Sequence, residues 1–254
     1  MPVHNAKSPA LIHLAVQDGQ DGLTRALRRL PMSVIRVAAL IVRAVPDLAE
    51  LRPLAEQASV WIFASSNAVR CFAPVAGEWH WPAHILTQGP GTRRALDAFG
   101  RPSLSPLPPY DSEAMLAMPI WSELPGGRVL RISGAQGREW LANALTARGF
   151  ATEAVAAYMR VPTPVRASVA QRLAALSVPP LVVFTSAEAA QAVRGALPEQ
   201  WPRLLSGTAL VPSERLAQLA QSWGFAAISR ADSAAQADVV AAVRRHLPKV
   251  RATE

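Results

Sequence analysis

Short apolar runs alternate along this chain with amphipathic helical stretches, and no other feature constrains the fold as much. Residues 11–16, 60–64, 84–87, 129–133, 181–185 and 208–211 have the length and composition of buried strands. Helical periodicity follows each of them, over residues 22–30, from Ser66 onward, and over 92–99, 136–148, 187–197 and 214–223. Gly100, Gly149 and Gly224 stand where three of these helices should stop. Further strands are expected over 33–37 and 225–229, a last helix over 234–246, and a helix over 47–57 with Asp47 as its N-cap. Alternation at this spacing predicts an α/β fold of parallel sheets with helices on both faces.

Two stretches look alike. Val60-Trp-Ile-Phe63-Ala-Ser65 aligns with Leu181-Val-Val-Phe184-Thr-Ser186, and Phe99-Gly100 with Trp223-Gly224. A weak internal repeat of this kind implies two lobes of similar construction. Residues 38–45 run extended into Pro46, and residues 155–161 run extended into Pro162-Thr163-Pro164. A residue before proline avoids the helical region, so both stretches read as strands of a two-stranded extended connector. The expected division is lobe one over 1–37, connector over 38–45, lobe two over 46–154, connector over 155–164, and the rest of lobe one over 165–254. A ligand would sit in the cleft between such lobes.

The formal charge is +8, from 26 basic and 18 acidic residues, and Lys7 and Lys249 are the only lysines. Arginine grips carboxylate or phosphate in a planar fork, so the surplus suits an acidic ligand or nucleic acid, or simply a solvated arginine-rich surface. The arginines are dispersed and the only tyrosines are Tyr110 and Tyr158, which argues against a nucleic-acid partner. Cys71 is the single cysteine, so no disulfide forms within the chain and a reducing, cytoplasmic setting is expected. No run reaches the roughly 18 apolar residues of a membrane helix. The apolar stretch 9–16 is short and broken by His13, which does not suit a secretory signal. The chain holds neither a Gly-x-x-x-x-Gly-Lys-Ser/Thr loop nor a Gly-x-Ser-x-Gly elbow. His80 and His84 have ligand-like spacing, but Pro82 lies between them, so no metal site is expected and Trp79 and Trp81 should pack a loop.

Candidate binding residues gather where strands end and helices begin. Gly89-Pro90-Gly91-Thr92 follows one strand and opens a helix, where backbone N–H groups favour an anion. It lacks the third glycine of a dinucleotide fingerprint, and an ordinary turn explains it equally well. Ser65-Ser66-Asn67, Thr185-Ser186 and Ser213 hold equivalent places. Capping alone accounts for such residues, yet ligands of open parallel sheets bind beyond these strand ends. Gly134 to Arg138 makes a fifth turn, with Arg138 either forking a carboxylate or solvated. Tyr158 lies in the second connector, either facing the cleft or buried in a lobe.

Taken in order, these segments resemble the uroporphyrinogen-III synthase family. Phe63-Ala-Ser65-Ser66-Asn67-Ala68-Val69 is similar to its strand ending in Thr/Ser-Ser-x-x-Ala-Val, and Gly89 to Thr92 matches its Gly-Pro-Gly-Thr helix start. Asp111-Ser112-Glu113-Ala-Met115, the strand and glycine turn from Val129 to Arg138, Arg148-Gly149, Tyr158-Met-Arg160, Phe184-Thr-Ser186 and Ser213-Glu214-Arg215 are similar to its later motifs. The chain departs from the family at Leu14-Ala-Val16-Gln17-Asp18, where Thr-Arg-Pro is usual, and at Ser133-Gly134, where Arg-Gly is usual. The second change removes one carboxylate clamp.

The resemblance implies that the substrate is hydroxymethylbilane, a linear tetrapyrrole with eight carboxylates. Loss of its terminal hydroxyl gives a cation-like azafulvene. Attack by the substituted carbon of ring D gives a spiro intermediate, and fragmentation and reclosure leave ring D inverted. The implied enzyme is a lyase that uses no cofactor and works by holding one substrate conformation. Tyr158 is its implied proton donor. The implied substrate holders are Ser65, Ser66, Asn67, Gly89, Gly91, Thr92, Gly134, Arg138, Thr185, Ser186 and Ser213. The partner is the tetrapyrrole alone, without nucleic acid or membrane, apart from transient contact with the preceding pathway enzyme. A non-catalytic two-lobed sensor for a polycarboxylate is the alternative, and ring-closing activity separates the two.

Overall fold

The computed structural model describes residues 9–19, 22–135 and 140–247. Along the chain run β1 (Leu11–Gln17), α1 (Gly22–Leu27) and β2 (Val34–Ala44), then a 3-10 turn (Leu48–Leu51) and α2 (Arg52–Glu56). Next come β3 (Val60–Phe63), α3 (Ser66–Phe72), β4 (His84–Thr87), α4 (Pro90–Asp97), α5 (Ser112–Leu116), α6 (Ile120–Glu123) and β5 (Gly127–Gly134). They are followed by α7 (Trp140–Thr146), β6 (Phe150–Pro162), α8 (Ala167–Ala174), β7 (Leu181–Phe184) and α9 (Ala187–Ala196). The last elements are α10 (Trp201–Leu205), β8 (Thr208–Val211), α11 (Glu214–Trp223), β9 (Ala227–Arg230) and α12 (Gln236–Arg244).

Two compact units divide the chain: Met1–Ile41 with Val161–Glu254, and Val42–Arg160. The first unit orders its strands β2-β1-β7-β8-β9, and the pairs β2–β1, β1–β7, β7–β8 and β8–β9 are parallel. Successive side chains on a strand point to opposite faces, and here both faces are buried. Ile12, Leu14, Val182, Phe184, Ala209 and Val211 pack on one face with residues of α9, α10 and α11. Leu11, Leu181, Val183 and Leu210 pack on the other with residues of α1 and α12.

The second unit orders its strands β4-β3-β5-β6, also in parallel register. Trp61, Phe63, Leu130 and Ile132 face α3, while Val60, Ile62, Leu86 and Val129 face α5, α6 and α7. The α/β class with helices on both faces of parallel sheets is therefore the observed one. An aromatic group formed by Trp61, Phe63, Phe72, Trp79 and Trp81 fills the α3 side, with Trp61 and Trp81 centroids 4.6 Å apart. Trp81 thus packs on a strand of the sheet, more than a loop contact.

Three local readings change. Residues 33–37 and 38–45 form a single strand, β2, because the β-rich pattern runs through both without a breaker. Asp47 is not a helix cap: it sits in the left-handed region at φ 60 with no side-chain capping bond, and the chain there makes a 3-10 turn before α2. Short polar side chains tolerate that conformation. Finally, α5, α6, α8 and α10 occupy stretches where no helix was expected.

Candidate active site

The candidate chemistry of the second unit is built at the end of β3. All four residues of that strand are buried, which fixes where the chain leaves the sheet. Ser65 follows in extended conformation, and its Oγ accepts the Ala68 N–H at 3.2 Å to begin α3. The same Oγ lies 3.3 Å from the Tyr158 phenolic oxygen, to which it donates.

Tyr158 reaches that point through an irregularity in the sheet. Along the β5–β6 pair the register steps from Ser133↔Ala156 to Gly134↔Tyr158, so Ala157 is an extra residue on β6. A bulge re-aims the side chain that follows it. Tyr158, 6 % exposed, thereby comes to rest against Gly134. A Cβ on Gly134 would stand 2.8 Å from Tyr158 Cζ and 3.0 Å from its phenolic oxygen, so only glycine leaves room for the ring. The Arg160 guanidinium sits 5.8 Å from the ring centroid.

The glycine-rich turn of α4 adjoins this group. Ser66 Oγ would be 3.6 Å from a Cβ on Gly91, which brings the first turns of α3 and α4 together. Ser66, Asn67 and Thr92 are buried, and Asn67 Oδ1 accepts from Arg70 at 2.8 Å. Gly89 is extended at φ 170 and makes no side-chain capping bond. Ser65, Ser66, Gly91, Gly134 and Tyr158 thus form one continuous string of contacts, with Gly89 and Thr92 beside it. Arg138 lies outside the described residues.

In the first unit, Thr185 and Ser186 end β7, and Ser186 Oγ accepts the Ala189 N–H at 3.3 Å to cap α9. Both line a cavity of about 170 Å³ with His13, Val16, Asp18 and Ala189. His13 is buried, with Nδ1 2.9 Å from Thr24 Oγ1. Neither His13 nor Thr24 was expected at a site. The signal was a lone polar residue in the apolar run of β1, where the alternatives are a satisfied core histidine or a cavity wall. Ser213 caps α11 after β8, accepting the Leu216 N–H at 3.4 Å.

Other reactive groups are unpromising. Burial pushes the Cys71 thiol up, against a smaller opposing pull from Arg70, so its thiolate is scarce. Burial alone lowers Arg131, half sunk in β5. Among the described residues, no group of three or more His, Cys, Asp or Glu could hold a metal ion, and no helix is long and apolar enough to cross a membrane. The His80 backbone N–H instead donates to Glu56.

The sequence pattern of the family described as uroporphyrinogen-III synthase HemD matches residues 21–241. This chain belongs to the uroporphyrinogen-III synthase family. The uroporphyrinogen-III synthase of Salmonella typhimurium is 33 % identical over 219 residues, covering 83 % of this chain and 88 % of that protein. The Escherichia coli uroporphyrinogen-III synthase is 39 % identical over 127 residues; that match spans 48 % of this chain and about half, 51 %, of the relative. Two crystal structures of the family share the fold. The Helicobacter pylori uroporphyrinogen-III synthetase aligns with TM-score 0.64 at 14 % identity, covering 93 % of this chain and 99 % of that one. A mutant Thermus thermophilus uroporphyrinogen III synthase aligns with TM-score 0.56 at 16 % identity, covering 94 % and 98 %.

Proposed function

We propose that this chain is a uroporphyrinogen-III synthase acting as a cofactor-independent lyase, with Tyr158 as proton donor. The observation that carries the reading is the seat built for Tyr158 by the bulge at Ala157, the bare backbone of Gly134 and the hydroxyl of Ser65. In the reaction, the C–O bond of the hydroxymethyl group breaks and its electron pair leaves with oxygen. The oxygen takes the phenolic proton and departs as water, while the pyrrole nitrogen lone pair completes the azafulvene. The substituted carbon of ring D attacks to give the spiro intermediate, which fragments and recloses with ring D inverted. One proton is lost on closure and restores the phenol.

The remaining residues hold the substrate. Its eight carboxylates suit a chain with a formal charge of +8. Ser66, Asn67, Gly89, Gly91 and Thr92 supply hydroxyl and backbone donors from the second unit, with Arg138, and Thr185, Ser186 and Ser213 supply them from the first. Gly134 is reassigned from substrate contact to the seat of the tyrosine, because its Cα faces the ring. Holding one folded conformer of a flexible substrate removes much of the entropic barrier. The single free cysteine, Cys71, suits a cytoplasmic enzyme, and a reactive substrate suits transient contact with the enzyme that makes it. A coupled assay that supplies fresh hydroxymethylbilane and separates the product isomers tests the reading. The expected product is the ring-D-inverted isomer; formation of the uninverted isomer alone, at the rate without protein, contradicts it and leaves a binding module.

A further inference from the structure

We infer that Ser65 is a positioning residue that acts through Tyr158, donating a hydrogen bond to the phenolic oxygen as that oxygen gives up its proton. The inference rests on the proposed role of Tyr158 as proton donor. A serine hydroxyl has one proton and two lone pairs. Ser65 Oγ already holds the Ala68 N–H at 3.2 Å, so the first turn of α3 fixes the oxygen in place. Its proton lies toward Tyr158 at 3.3 Å, long for a hydroxyl pair, as catalytic hydrogen bonds often are before substrate arrives.

The chemistry makes this contact unequal along the reaction. With a neutral phenol it is an ordinary hydrogen bond. As the phenolic proton passes to the departing oxygen, the phenolic oxygen gains negative charge and the same bond becomes charge-assisted. An interaction stronger in the transition state than in the ground state raises kcat rather than affinity. Among the described residues, the Ser65 hydroxyl is hydrogen-bonded to that oxygen. Gly134 lies directly against the ring and its phenolic oxygen, where a side chain would not fit.

The test compares Ser65→Ala, Ser65→Thr and Ser65→Asp, together with Tyr158→Phe and the double variant Ser65→Ala/Tyr158→Phe. A hydrogen bond to a charged group corresponds to about 10- to 100-fold in rate, so Ser65→Ala should lose that much kcat with KM little changed. Ser65→Thr keeps the hydroxyl and should restore most of it. Ser65→Asp can still cap α3 but cannot donate, so it should stay slow while melting near wild type; it carries the test if Ser65→Ala does not fold. In the Tyr158→Phe background, Ser65→Ala should cost nothing further. Full kcat for either non-donating variant, a loss confined to KM, or losses that multiply in the double variant would each overturn the inference while a slow Tyr158→Phe leaves the reading of Tyr158 standing. Full activity of Tyr158→Phe would overturn both.

Discussion

The turns after β3 and β7 start from nearly the same sequence and end in different surroundings. Phe63-Ala64-Ser65 and Phe184-Thr185-Ser186 each leave a wholly buried strand, and each serine caps the next helix, at 3.2 and 3.3 Å. Burial of the strand and the cap together fix the serine hydroxyl in both units. What the hydroxyl then meets is set by the neighbouring strands. In the second unit the bulged pair β5–β6 brings a phenol to Ser65. In the first unit β1 brings His13 and a small cavity to Thr185 and Ser186. A repeated βα turn is therefore a scaffold, and its chemistry is decided by a strand distant in sequence.

The comparison breaks most readily at Gly134. In Gly134→Ala the new Cβ would lie 2.8 Å from Tyr158 Cζ, so the ring must leave its seat. Loss of a positioned proton donor costs about 10²- to 10⁴-fold in rate, and turnover of this variant should fall within or near that range. Unchanged turnover would show that the seat of Tyr158 does not matter. A smaller effect is expected for Ser186→Ala in the first unit. Loss of one neutral hydrogen bond to substrate should raise KM about 2- to 10-fold, with kcat retained. Loss of the cap, about 1 kcal/mol, should lower the melting temperature by about 2–4 °C. A fall in kcat instead would erase the distinction between the two turns.

The smallest effect concerns His246, just beyond α12 and outside both turns, with Nε2 2.9 Å from Ser229 Oγ. Burial, helped by Arg245, lowers its pKa below the ordinary value. The folded state therefore disfavours the protonated ring. The associated stability is present above the unfolded pKa, near 6.5, and is lost as pH falls through it toward the folded value. Melting scans should show a decline of less than about 2 °C from this group between pH 7 and 5. The decline should be absent in His246→Gln, with turnover at pH 7 unaltered in either protein. A decline of the same size in the variant would assign it to other groups.

Much of the fold was legible in the sequence where burial is complete. Residues 84–87 and 208–211 form strands with the bounds read from their apolar runs. The helix over Glu214–Trp223 stops at Gly224, whose φ of 88 suits a residue without Cβ. Short elements were hidden for a physical reason: five residues of α5 or α10 are too few to show a 3.6-residue period, and Pro202 inside α10 reads as a breaker although it occupies a first-turn position. The site was legible in part. Ser65 and Tyr158 each stood out, but their meeting across 93 positions depends on one extra residue in β6, and Ala157 carries no sequence signal for a bulge.

The central claim is that this chain inverts ring D with help from the phenolic proton of Tyr158. It is tested most directly by rate and isomer ratio for Tyr158→Phe, beside a thermal melt. The ring remains to pack against Gly134, so the melt should stay close to wild type. Turnover should fall by about 10²- to 10⁴-fold. An azafulvene formed without protection also closes unaided, so the product should become a mixture of isomers where wild type gives mainly the inverted one. A folded Tyr158→Phe protein with full rate and an unchanged isomer ratio would contradict the account and leave conformational holding by the turns as the whole of the catalysis.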